Sequence, residues 1–309
     1  MFQAGTVLLK GSGSFMIAWS SRFPKWKYPL GYWRLLCARH RYFDRLGLRQ
    51  GNSGLGIGKI LGDQSQLTAL KGKGAGKRCF IIGNGPSLNE TDLSPLKNEI
   101  TIATNGAYKA FDDWGFTPTY LLFEDIEQTE IRGQDIRHID GPLKIAALYN
   151  AHGIARPWRN LLFMNARLAD ETYWTDPGIQ FSQDFAQTVN LGSTIIYIAL
   201  QLAFYLGCDP VYLTGVDHDY GDLSKNFPPG KITVTEENKA LVNQTHFTKQ
   251  YYKTGDVIGV PDTDLQTKAF QIANDAFAGN GRKIFNATNG GKLDVFDRAD
   301  YASLFSGKS

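Results

Sequence analysis

Asp217-His218-Asp219-Tyr220 sets two carboxylates, an imidazole and a phenol in four consecutive residues. An imidazole flanked by aspartates can act as a base, a metal ligand or a surface group, and the carboxylates raise its basicity. A second histidine stands in Thr245-His246-Phe247, with Tyr251-Tyr252 just beyond. Imidazole accepts a hydroxyl proton near neutral pH, so His246 is a candidate general base. Tyr251 and Tyr252 can donate hydrogen bonds to a departing phosphate. A mobile surface loop would carry the same residues.

Binding chemistry concentrates where apolar runs end. Cys79-Phe80-Ile81-Ile82 leads into Gly83-Asn84-Gly85-Pro86-Ser87-Leu88. This reads as a buried strand, a tight loop and a short helix. Gly83 and Gly85 accept backbone angles barred to other residues and leave room for a ligand at the main chain. Ser87 or Asn89 can cap the following helix, whose free N–H groups would face an anion. The expected ligand is a phosphate-bearing nucleotide. The loop lacks the Lys-Ser/Thr of a P-loop, and Leu88 stands where the dinucleotide fingerprint needs its third glycine. A second run, Glu99 to Thr104, ends in Asn105-Gly106, and a third, Thr119 to Phe123, in Glu124-Asp125. Amides and carboxylates at strand ends suit a base, a ribose, a phosphate or a divalent metal. Turn conformation and helix capping explain the same residues. Gly192-Ser193-Thr194 opens an apolar helix, as a cap or as a phosphate contact. Gly215 leads to Asp217, and Asn286-Ala287-Thr288 closes the last run.

The elements that must position these groups alternate from Lys77 onward. Strands are expected at 79–83, 100–104, 119–123, 143–148, 160–164, 210–215 and 283–287, with helices between several of them, including 194–206 and 262–278. That pattern predicts an α/β fold: a mainly parallel, Rossmann-like sheet with helices on both faces. It divides the chain into a basic N-terminal extension with a Gly-rich linker (1–76) and a catalytic domain (77–305). Residues 220–260 are poor in aliphatics and read as a lid. Arg132 and Arg137 fall on a helix and are expected to be solvated.

Charge separates the same two parts. Residues 1–78 carry fourteen Lys and Arg against Asp44 and Asp63, although the whole chain is only +3. Over 22–49 seven aromatics interleave with eight basic residues, the pattern of a helix on anionic lipid or of one docked on the body. No recognition motif points to nucleic acid. No apolar run reaches the ~20 residues of a membrane span, and Val7-Leu8-Leu9, cut by Lys10, is too short for a signal peptide. Three scattered cysteines form neither a disulfide framework nor a zinc site. A cytoplasmic protein, peripheral on the inner leaflet through 22–49, is expected; a homo-oligomer is left open.

Phe80–Leu88 (F-I-I-G-N-G-P-S-L), Thr104–Gly106 (T-N-G) and Tyr212–His218 (Y-L-T-G-V-D-H) resemble the MptE-like family, named for an archaeal hydroxymethyl-dihydropterin pyrophosphokinase. They are also similar to the bacterial lipooligosaccharide sialyltransferases of glycosyltransferase family 42 and to flagellin-glycosylating proteins. The resemblance spans residues 77–305. It implies a CMP-sugar site at Asn84, Gly85, Ser87 and Asn105, a looser match at Gly192-Ser193-Thr194, a base at His246 and a phosphate-binding tyrosine at Tyr220. The implied reaction is inverting transfer of a nonulosonate to a glycan or lipid-linked glycan, with no obligatory cofactor. The pyrophosphokinase alternative places ATP and Mg²⁺ in the same pocket, with Glu124, Asp125 or Asp217 as oxygen ligands.

Overall fold

Short runs of Ile, Leu, Val and aromatic residues are buried on both faces when a parallel sheet is covered by helices, and such runs recur here. The computed structural model describes residues 64–147, 150, 159–166 and 178–306. In chain order come β1 (Cys79–Ile82), β2 (Ile100–Thr104), β3 (Tyr120–Phe123), α1 (Ile126–Arg137), β4 (Leu143–Ala147), β5 (Leu161–Met164), α2 (Ile195–Leu206) and β6 (Val211–Thr214). Then follow α3 (Gly221–Asn226), β7 (Gly230–Thr233), α4 (Lys239–Asn243), β8 (Val257–Val260), α5 (Thr263–Ala278), β9 (Ile284–Asn286) and β10 (Asp297–Arg298). Eight strands form one sheet in the order β10-β9-β6-β1-β2-β3-β4-β5. Every neighbouring pair is parallel, for example Ile81 against Ile102 on one side and Leu213 on the other. All seven expected strands lie in this sheet.

The chain steps outward from β1 to β5 on one side, returns to β6 beside β1, and continues to β9 and β10 on the other. The connections leaving β1 and β6 therefore run to opposite sides of the sheet, the topological switch point at whose carboxyl edge such folds place a ligand crevice. α2 packs over β1, β2 and β3 and against α5. Its sequence, IIYIALQLAFYL, is apolar almost all round, as a helix buried on every side requires. Gln201 in its middle is fully buried and fully used: its amide donates to Asn190 O and Tyr197 O and accepts from the N–H groups of Ser182 and Asn190. Strand alternation sends Phe80, Tyr212 and Phe285 to one face, where they form a stacked ladder. Tyr301, Phe305 and the Arg78 guanidinium cover it.

Two expectations change. Residues 64–76 are no linker: Leu67 and Leu70 are buried in the core, and Gly72 and Gly74 donate to the carbonyls of Tyr205 and Leu206 at the end of α2. The basic segment 22–49 lies outside the described residues. Residues 220–260, expected to lack a core pattern, fold around a small cluster of their own: Leu223, Val234, Val242, Tyr251, Tyr252 and Ile258. β7 and β8 pair antiparallel there. No helix among the described residues is long and apolar enough to cross a membrane.

Candidate functional site

The β1–β6 pairing continues past the strand ends. Gly83 N–H donates to Thr214 O and Gly85 N–H to Gly215 O, each at 2.9 Å. A side chain at Gly85 would put its Cβ 1.7 Å from Asp217 Oδ2, and one at Gly83 would put it 2.3 Å from Gly215 O. Gly85 is extended (φ −72°), so the loop needs glycine for close approach rather than for an unusual angle. Gly215 is the residue that takes a left-handed angle, φ +68°. Asp217 fills the space beside Gly85. Its carboxylate accepts from Ser87 Oγ (2.8 Å) and Ser87 N (3.2 Å). Burial pushes the Asp217 carboxyl above its ordinary value, and the Ser87 bonds oppose that.

Two amides stand at the ends of the neighbouring strands β1 and β2. Asn84 Nδ2 donates to Thr104 O (3.1 Å) and Thr104 Oγ1 (2.9 Å), which fixes its flip. Asn84 Oδ1 and Asn105 Oδ1 are buried with no partner among the described residues, as are six other side-chain atoms there; of the eight, these two belong to residues that line the cleft at the strands' carboxyl ends. Asn105 adopts φ +48°; Asn84 does not need a left-handed angle. At the end of β3, Asp125 caps α1 by accepting from Glu127 N (2.8 Å). At the start of α2, Thr194 is the cap, accepting from Ile196 N, and Ser193 takes φ +59°. Beyond β6, Tyr220 donates to Gln266 Oε1 (3.2 Å), Gln266 donates to Ser193 O (3.0 Å), and His218 Nε2 meets Thr267 Oγ1 (3.0 Å). Asp219 pairs with Lys292.

His246 arrives from the 220–260 region, which is tied to the body where Phe247 N donates to Asn84 O (3.0 Å) and Gly106 N to Tyr251 Oη (3.0 Å). Thr245 Oγ1 donates to Val242 O (2.8 Å), leaving only lone pairs for His246 Nδ1, 2.9 Å away. Nδ1 therefore carries the proton and Nε2 the lone pair. Burial of the ring draws its pKa down to about 3; the Val242 carbonyl opposes this, and Arg132 and Lys109 reinforce it. Tyr251 Oη accepts from Gly106 and Tyr252 Oη from Gln128 Nε2 (2.7 Å), so each phenol keeps its own proton to give.

These groups surround one cleft of about 550 Å³. It gathers Gly83, Asn84, Gly85, Asn105, Glu124, Asp125, Gly192, Ser193, Thr194, Gly215, Asp217, His218, Tyr220, His246, Tyr251 and Tyr252. Pro86 and Ser87 do not line it: they lie in the short turn Pro86–Glu90, whose Ser87 N–H is taken by Asp217 rather than open to an anion, and no side chain caps it. Asn286 and Thr288 do not line it either. Asn286 bonds Leu293 O and Thr288 N, and Thr288 Oγ1 accepts from Val216 N, so both shape the β9 loop. Arg132 is not solvated. It is 1% exposed, with its guanidinium 4.1 Å from the Tyr251 ring centroid. Sequence reasoning also passed over Gln128, Gln266 and Lys231, which line the cleft; Lys231 pairs with Glu127. Each lies beside a residue of different sequence neighbourhood, so no local pattern marks it.

No curated protein sequence matches the chain. Among solved structures it is similar to the MAf glycosyltransferase of Magnetospirillum magneticum AMB-1, at 14% identity and a TM-score of 0.46 over 81% of this chain and 40% of that one. The chain thus spans less than half the length of that protein. A family model described as 6-hydroxymethylpterin diphosphokinase MptE-like matches residues 57–223. That match takes in the β1 loop, both cleft amides and the Asp217–Tyr220 stretch, and the chain belongs to the MptE-like family.

Proposed function

We propose that the protein is a glycosyltransferase that moves a nonulosonate-type sugar from a CMP-activated donor to a glycan hydroxyl with inversion. The observation that carries this reading is the neutral His246, its Nε2 unprotonated, beside two phenols with protons to give, on one cleft with the unpartnered amide oxygens of Asn84 and Asn105. The amide oxygens would take the amino or hydroxyl donors of the nucleoside. The acceptor oxygen attacks the anomeric carbon, and the bond to the phosphate oxygen breaks with its electron pair. The acceptor proton goes to His246 Nε2, and Tyr251 and Tyr252 donate to the departing phosphate. A histidine held at about 3 is by itself a weak base. The negative charge of a bound donor stabilises imidazolium and raises its proton affinity when transfer requires it. The 220–260 region would then act as the lid. No cofactor is required on this reading, and the basic segment 22–49 would bring the enzyme to acceptors on anionic inner-leaflet membranes.

The family's description favours a second reading, diphosphoryl transfer from ATP to a hydroxymethylpterin-like alcohol. Mg²⁺ would neutralise the phosphates there. Of the three carboxylates offered as its oxygen ligands, Glu124 lines the cleft, while Asp217 is engaged by Ser87 and Asp125 caps α1. Turnover separates the two. Slow hydrolysis of a CMP-nonulosonate in EDTA, lost in His246→Gln, supports the first. Activity that needs ATP and Mg²⁺ and ignores CMP-sugars replaces it with the second.

A further inference from the structure

A proton acceptor is useful only if its lone pair is aimed, and the Thr245 hydroxyl alone cannot stop the His246 ring from tilting. The ring is fixed by its neighbours. Tyr251 stacks on it with centroids 3.9 Å apart, and Tyr252 stands edge-on at 5.2 Å and 89°. Both tyrosines are in turn gripped by one turn of α1. Arg132 lies over Tyr251 (4.1 Å) and Tyr252 (5.2 Å), and its Nη2 donates to Tyr251 O (3.1 Å). Arg132 Nε donates to Gln128 Oε1 (2.6 Å), and Gln128 Nε2 donates to Tyr252 Oη (2.7 Å). Gln128 and Arg132 are four residues apart, hence on the same helix face.

Both are buried, at 4% and 1% exposure. The partners of Arg132 are neutral: an amide, a carbonyl, two rings and the Tyr108 phenol, which itself donates to Asp135. Burying a guanidinium among neutral groups is costly, and an apolar side chain of similar volume would pack as well. The arrangement makes sense if the grip itself is the function. We propose that Arg132 and Gln128 are positioning residues that set the plane of His246 and aim its Nε2 into the cleft, acting through Tyr251 and Tyr252. This rests on the reading of His246 as the proton acceptor. The other charged or titratable groups facing the ring are Lys109, from the turn Asn105–Ala110, and the two phenols themselves. Lys109 Nζ shares the Tyr251 carbonyl at 3.2 Å and lies 5.7 Å from the Tyr251 ring centroid, a looser hold than that of Arg132 and one without the Gln128–Tyr252 bond, so it serves as the control for charge and weak contact.

The test is a pH series of histidine side-chain ¹⁵N spectra on the full chain. Five histidines keep the spectrum simple, and loss of one signal set in His246→Gln assigns it. In the unaltered protein His246 stays neutral, with Nδ1 protonated, from about pH 5 to 8. In Arg132→Met the ring is released and titrates within that range, while kcat falls about tenfold or more with KM little changed. Gln128→Met moves the signal in the same direction by less, and carries the test if Arg132→Met does not fold. Lys109→Met leaves the ring neutral. A folded Arg132→Met or Gln128→Met whose His246 keeps its wild-type spectrum overturns the proposal. So does equal release in Lys109→Met. Unchanged turnover in His246→Gln would instead sink the proton-acceptor reading and leave the spectroscopic result standing.

Discussion

Substituting Gly85 by alanine tests why the β1 loop is built from glycine. The new Cβ would stand 1.7 Å from Asp217 Oδ2 and 2.9 Å from Gly215 O. The Asp217 side chain can turn away, but doing so breaks its bonds to Ser87 Oγ and Ser87 N. Hydrogen bonds to a charged group are worth about 1.5–3 kcal/mol each, and one of these two is long. Gly85→Ala should therefore cost about 3 kcal/mol, read as a fall in denaturant midpoint at constant m. Asp217→Ala should cost a similar amount, because it removes the same bonds. The double variant decides the matter. With Asp217 gone the Cβ has lost its principal clash, so adding Gly85→Ala to Asp217→Ala should cost no more than about 1 kcal/mol. That leaves a coupling of about 2 kcal/mol between residues 85 and 217. Additive costs would refute the account of the loop, and would return Gly85 to the role the sequence suggested, that of leaving space for a ligand.

Three further outcomes follow from the same geometry. His246, with a folded pKa near 3 against about 6.5 unfolded, makes the unfolded state bind more protons below pH 6.5. Its contribution is fully present above that pH and fades on acidification by up to about 1.4 kcal/mol per unit, reaching about 2 kcal/mol at pH 5. Asp217, held above its ordinary value, acts in the opposite sense, so the comparison is between unaltered protein and His246→Gln, whose stability should be flatter from pH 7 to 5. Parallel curves would contradict it. Gln201→Leu strands the N–H groups of Ser182 and Asn190 and the carbonyl of Asn190; at about 1–3 kcal/mol for each unsatisfied group, it should lower the thermal midpoint by many degrees. A neutral result would mean that these groups find water. Asn84→Asp sets a carboxylate against Thr104 O, where an amide now donates; it should destabilise by about 1–3 kcal/mol, and its chemical-denaturation midpoint checks this.

The sheet was legible because β1, β2, β5 and β6 are short, mainly apolar runs stopped at once by Gly or Asn, and a parallel sheet hides both faces of such runs. Parallel connection also carries every strand end to one edge, which is why Asn84, Asn105, Asp125 and Asp217 lie around one cleft although their positions in the chain span 134 residues. The remainder depends on partners that no local pattern reveals. Arg132 looks like a solvated helix residue until Tyr251, 119 residues later, is laid beneath it. Gly83 and Gly85 line the cleft, but what demands glycine at these positions is the closeness of Gly215 and Asp217, which the sequence does not show. Asn286 and Thr288 look like another strand-end site, but they bond to the Leu293 and Val216 main chain instead. β7 and β8, four residues each with a glycine in both, are too short and too weakly alternating to stand out.

Isothermal titration of the full chain with CMP in EDTA, and with ATP in excess Mg²⁺, bears most directly on the claim that the cleft at the carboxyl ends of β1, β2, β3 and β6 holds a nucleotide donor. The account predicts that CMP binds in EDTA and that Asn105→Ala weakens it about tenfold, the loss of one hydrogen-bonding amide. Binding of ATP alone, and only with Mg²⁺, or CMP binding that is indifferent to Asn105→Ala, would contradict it.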